Sequence, residues 1–175
     1  MRKIKTKTVG VTLIELLITL AVLCILSAFA LPYLQKRLAA MEAFKVESNL
    51  RLMLSQAKQQ AYLERQRLAI CATHDGQTCD SQAWSKQMIV FRDHANANRI
   101  REPQEVIKTY VVIDAKYGHL AWQGSGGNNP VFHADSGLPR GGNGTFKYCS
   151  NYPEYHFHLL MSDMGNVRIV KPLSC

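Results

Sequence analysis

A single acid interrupts an otherwise apolar run. From Val11 to Ala30 the sequence VTLIELLITLAVLCILSAFA carries one charge, Glu15. Twenty residues at 1.5 Å each extend about 30 Å, the hydrocarbon thickness of a bilayer. The run is therefore long enough to span one. An acid at the centre of such a helix costs roughly 2.5 to 3.5 kcal/mol, and less toward an end. That cost is tolerated if the carboxylate snorkels to the interface, or if it meets an opposite charge. Outside the run lie Cys71, Cys79, Cys149 and Cys175, with Cys24 inside it. Four cysteines permit three pairings. The sequence-local solution joins Cys71 to Cys79 and Cys149 to Cys175, an arrangement favoured in an oxidising compartment, but spacing alone leaves the choice open.

The other chemistry-bearing residues do not assemble into a site. His156 and His158 flank Phe157 on an alternating segment and so share a face, but two ligands are too few for a metal, and the cysteines lack zinc-type spacing. His74 with Asp75, and Asp93 with His94, fall in loop-like stretches without a nucleophile beside them. No catalytic residue, metal site or cofactor is expected.

The elements that must position these residues are a long helix and a set of strands. Arg2, Lys3, Lys5 and Lys7 precede the apolar run with no acid among them, which holds this end in the cytoplasm and sends the remainder outward. Ala28-Phe29-Ala30 resembles a signal-peptide cleavage site, yet helical patterning continues past it. Beyond Pro32, Leu34, Leu38, Met41, Val46, Leu50, Met53, Leu54, Ala57 and Ala61 recur at helical steps, predicting an amphipathic helix to about Arg67. Seven strand-like segments follow: RLAIC, MIVF, VIKTYVVI, HLAWQ, GTFKYC, HFHLLM and VRIV. The fold class expected is α+β, with the long helix packed on an antiparallel sheet. Residues 124–130 and 139–144, rich in glycine, are read as hairpin connections.

The formal net charge is +8, but the four cations before Gly10 contribute half of it. A remaining surplus of +4 does not single out nucleic acid as a partner.

Gly10-Val11-Thr12-Leu13-Ile14-Glu15, followed by the apolar run closed by Pro32, resembles the class III leader of type IV prepilins and type II secretion pseudopilins. Further residues sharpen the likeness to the FimT/FimU/GspH group. They are the run from Cys71 to Cys79, Trp84, the block Ile89-Val90-Phe91-Arg92-Asp93 with Asn96 and Asn98, Gly144 to Cys149, and Ser162 to Arg168. The cysteine pairs bring the chain nearer to the pilus-associated FimT/FimU proteins than to the secretion pseudopilin. The resemblance implies cleavage by prepilin peptidase between Gly10 and Val11, N-methylation of Val11, a helix kink at Pro32, and pairing of Glu15 with a neighbouring subunit's amino terminus. Val11 stands where the family usually has Phe.

Implied too are four segments: a leader at 1–10, a transmembrane and filament-core helix at 11–31, the amphipathic half of the helix at 32–67, and a disulfide-bearing periplasmic domain at 68–175. The expected role is a minor pilin of the inner membrane, assembled with other minor and major pilins toward the pilus tip. The alternatives are a type II secretion pseudopilin of the H type and a DNA-binding pilin serving uptake. Relatives of the latter kind carry a G-R-x-R motif that reads Gly165-Asn166-Val167-Arg168 in this chain. Non-specific double-stranded DNA would then contact Arg140, Lys147, Arg168 and Lys171.

Overall fold

Helical periodicity becomes one element, α1, Leu13–Glu64. The computed structural model describes residues 10, 12–94 and 106–175, so Val11, Asn96, Asn98 and the four leading cations lie outside the described residues. Thr12 precedes α1, and its hydroxyl accepts the Glu15 N–H at 3.3 Å, satisfying one of the donors a helix start leaves open. Pro32 lies inside α1. Its ring removes one ladder donor, and the helix continues through it. At the other end Arg65 adopts φ 53, and the Gln66 N–H reaches back to the Ala61 carbonyl at 3.2 Å. This six-to-one closure normally recruits glycine. With arginine in that place no local stop signal marks the end, and the helix stops three residues before the expected Arg67.

The chain divides into two units, one through Arg37 and one from Leu38 onward. In the first, α1 is apolar on every side and none of its most apolar window is buried within the chain; its mean hydropathy of 2.6 suits a membrane span. In the second, α1 buries Ala39, Ala43, Val46, Leu50, Met53, Leu54, Ala57 and Ala61, a stripe at steps of three and four. Each large side chain in that stripe contributes about 1.5 to 3 kcal/mol on leaving water.

Eight strands follow: β1 Leu68–Thr73, β2 Gln87–Arg92, β3 Val106–Val112, β4 Gly118–Gly124, β5 Val131–Phe132, β6 Gly144–Ser150, β7 Phe157–Met161 and β8 Val167–Val170. They form two antiparallel sheets, in the orders β3-β2-β1-β5 and β4-β6-β7-β8, where the sequence suggested seven strands and one sheet. The additional strand, β5, has two residues, too few for a period to show, and it pairs with Leu68 and Ala69 of β1. His156 is not part of β7; it closes a short 3-10 turn, Pro153–Tyr155.

Both sheets place side chains in one core with the helix stripe. Ile70, Ala72, Met88 and Val90 come from the first sheet, and Leu120, Phe146, Tyr148, Phe157, Leu159 and Met161 from the second. β1 is buried at all six positions, because Ala69 and Cys71 join Ile89, Phe91 and Val131 in a smaller cluster on the reverse face. β7 alternates buried and half-buried, as a strand with one covered face must.

Candidate functional site

Glu15 lies in the first turn of α1 and is exposed; among the described residues no group bonds its carboxylate. Gly10 is exposed as well, and a Cβ built on it would meet nothing within 4 Å. Among the described residues, packing does not account for glycine there.

A second carboxylate on α1, which sequence reasoning passed over, is fully engaged. Glu42 accepts the Lys116 N–H at 2.8 Å and the Tyr117 N–H at 3.1 and 3.2 Å. The Tyr148 hydroxyl donates to the same carboxylate at 2.7 Å. Burial, then the hydrogen bond to Glu42 and its charge, push the Tyr148 phenol well above its ordinary range, so it stays a donor. One helical acid thus fastens both the β3–β4 connection and the centre of the second sheet to α1.

The cysteines join as Cys71–Cys79 and Cys149–Cys175, with Cα separations of 5.6 and 5.8 Å, and Cys24 is a free thiol. Within the first loop Asp75 accepts the backbone N–H groups of Gln77 and Thr78, each at 2.8 Å, and the hydroxyls of Thr73 and Thr78. The Thr78 and Gln77 amides hold the Asp75 carboxyl far below the usual carboxylate range. Its oxygens are committed to the turn. Asp93 is buried against Arg67, Nε to Oδ2 3.0 Å, which also makes it an internal tie between the end of α1 and β2. Among the described residues no three metal-ligating side chains gather. His156 receives the Ser150 N–H on Nδ1 at 3.0 Å, while the Nε2 of His158 is buried without a hydrogen-bond partner.

The four expected DNA contacts do not converge. Lys147 on β6 and Arg168 on β8 share the outward face of the second sheet, two strands apart. Lys171 turns to the opposite side, where it lines a cavity of about 180 Å³ with Ala43, Glu47 and Glu154. Arg140 is ion-paired with Asp135, and this guanidinium holds the Asp135 carboxyl below its ordinary range. Asn166, in the place of the motif's first arginine, instead faces two helix cations, Arg51 and Lys58, across a cavity of about 390 Å³. Lys58 donates to the Met164 carbonyl at 3.2 Å, and Arg51 pairs with Glu47 at 3.0 Å. No local signal could have revealed these two cations, since they lie over a hundred residues before the turn they face.

Similarity to known proteins agrees with this architecture. Two crystal forms of the Pseudomonas aeruginosa PAO1 type IV minor pilin FimU resemble it. One has 19% identity and TM-score 0.54 over 81% of this chain and 94% of that one, the other 19% and 0.50 over 76% and 92%. At that identity the likeness is one of fold. No curated protein matches the sequence. The family model described as type II transport protein GspH matches residues 48–165, from the packed half of α1 through both sheets to the turn before β8, and the chain belongs to that family.

Proposed function

We propose that the chain is a minor type IV pilin, stored in the inner membrane through the first half of α1, cut after Gly10 by prepilin peptidase and methylated on Val11. It assembles with other minor and major pilins toward the filament tip and helps to prime the pilus. The observation that carries this reading is the continuity of α1, whose exposed apolar half runs on into the core helix of a GspH-family domain. The fold of the FimU minor pilin supports it. So does Gly10, a glycine that no packing among the described residues requires. Mass spectrometry of the mature protein tests it: the amino terminus is Val11, methylated. A start at Leu31 would mean a released secreted domain and would end the pilin reading.

The description of the matching family favours a second reading, a type II secretion pseudopilin of the H type. Deleting the gene separates the two. A pilin mutant loses surface pili and keeps exoprotein export, whereas a pseudopilin mutant shows the reverse. DNA uptake remains as a supplementary role, carried by Lys147 and Arg168 on their shared face.

A further inference from the structure

Beside the end of β4 lies a cavity that filament assembly does not call upon. It measures about 260 Å³ and is lined by Ser81, Trp84, Trp122, Gln123, Gly127 and Asn128, together with Gly124. Its aromatic wall is built into the sheet. Gly124 and Gly144 face each other in register at the end of the β4–β6 pair. A Cβ on Gly124 would come within 2.7 Å of the Trp122 Nε1, and one on Gly144 within 2.4 Å of its Cη2. Both glycines therefore make room for the indole. Phe146 supports it at 4.6 Å between centroids and meets Trp84 edge-on at 5.4 Å. The Trp122 Nε1 donates to the Gly127 carbonyl at 3.3 Å, and Gly127 has φ 130, a conformation suited to glycine.

Trp84 is buried, so the accessible part of the wall is the half-buried Trp122. Around it stand the exposed hydroxyl of Ser81 and the exposed amides of Gln123 and Asn128. Each amide offers two donors and an acceptor with two lone pairs. Among the described residues no ionisable side chain lines the cavity. An ionic ligand would enter unpaired, and a wholly apolar one would cover amides that need hydrogen bonds. The chemistry that fits is a ring with an apolar C–H face and hydroxyls around its rim. The volume falls below the 300 Å³ or so at which drug-sized pockets begin, which restricts the occupant to about one ring.

We propose that this cavity binds a single neutral hexopyranose unit of a glycan, stacked on Trp122 and hydrogen-bonded by Gln123 and Asn128. The chain has two tryptophans, and both lie at the cavity, so intrinsic fluorescence reports on it directly. The full-length protein in a sugar-free zwitterionic detergent is titrated with glucose, galactose and N-acetylglucosamine. At least one produces a saturable change with a dissociation constant of roughly millimolar order. The Gln123→Ala, Asn128→Ala double variant, altered at two exposed positions, keeps its melting temperature and loses about tenfold in affinity. Absence of a saturable response to all three sugars up to about 100 mM overturns the proposal, as does a response unchanged in the double variant.

Discussion

Glu15 and Glu42 stand on the same helix, and their surroundings could hardly differ more. Glu42 is half-buried and receives two backbone amides and a phenol from its own domain, while the carboxylate of Glu15 sits exposed on a surface that is apolar all round. The two halves of α1 show the same division. From Leu38 onward the apolar stripe is consumed by the two sheets, and before it Leu16, Leu20, Leu23 and Phe29 all remain more than half exposed or nearly so. An acid among lipid-facing leucines is costly unless something outside the chain compensates it. Within the domain, an acid is compensated by the fold itself. On the proposed reading one carboxylate serves assembly, whereas the other serves the stability of the domain, and substitutions separate them.

The largest effect is expected at Glu15. Glu15→Ala leaves processing and domain stability unchanged but reduces recovery in sheared pili to near zero, since breaking a buried ion pair between subunits costs about 3 to 5 kcal/mol. Cell fractionation with immunoblotting measures it. Normal recovery in the pilus fraction would mean that Glu15 merely snorkels, and the contrast with Glu42 would lose its assembly side.

Glu42→Ala reverses the pattern by acting on the domain. Hydrogen bonds to a charged group are worth about 1.5 to 3 kcal/mol each, and the buried Tyr148 hydroxyl would lose its acceptor, so a loss of roughly 3 kcal/mol is expected in urea denaturation. Tyr148→Phe alone should cost about 1.5 to 2 kcal/mol, and the double variant less than the sum, because both changes remove the same bond. Strict additivity would show that the two side chains are not coupled.

What could be read in advance follows the range of the interactions. The helix showed in its apolar spacing, and β6 and β7 in their alternation, because these patterns are local. Cys71 and Cys79 are eight residues apart, and their pairing was the sequence-local solution. The division into two sheets was not legible, because β1 takes its partners from Arg92 on one side and Phe132 on the other. Glu42 looked like any helix-surface acid, since its partners lie 74, 75 and 106 residues away. The surroundings of the cations were hidden for the same reason. Being basic and loop-borne said nothing of the Asp135 beside Arg140 or the glutamates beside Lys171.

Cations can be sorted as the carboxylates were, into those satisfied within the chain and those left for a partner, and DNA binding tests that division. Arg140 is paired with Asp135, so Arg140→Gln should leave duplex affinity nearly unchanged. Lys147→Gln with Arg168→Gln should lower it several-fold and flatten its salt dependence by about two phosphate contacts. Asn166→Arg would add a third cation beside Arg51 and Lys58 and strengthen binding. Electrophoretic retardation at a series of salt concentrations reads all three. If the wild-type chain and Asn166→Arg both fail to retard DNA at low salt, the shared face has no such role.

The smallest effect belongs to a group that is neither satisfied nor exposed. The Nε2 of His158 is buried without a hydrogen-bond partner, the imidazole lies beside Lys147 on the next strand, and His156 is close by. Desolvation first, then the positive charge of Lys147 and the proximity of His156, lower its pKa from the ordinary value of 6.5. The folded protein therefore keeps this ring neutral where the unfolded chain would protonate it. Its contribution is present above about pH 6.5 and is lost as pH falls through the lower, folded-state value, because the unfolded state then binds the extra proton. The depressed pKa values of Asp75 and Asp135 act at more acid pH, near the carboxylate range, and leave this window clear. Melting temperatures should consequently decline modestly between pH 7.5 and 5.5, and His158→Gln, which cannot protonate, should flatten that decline. An equal decline in both proteins would assign the effect to another group.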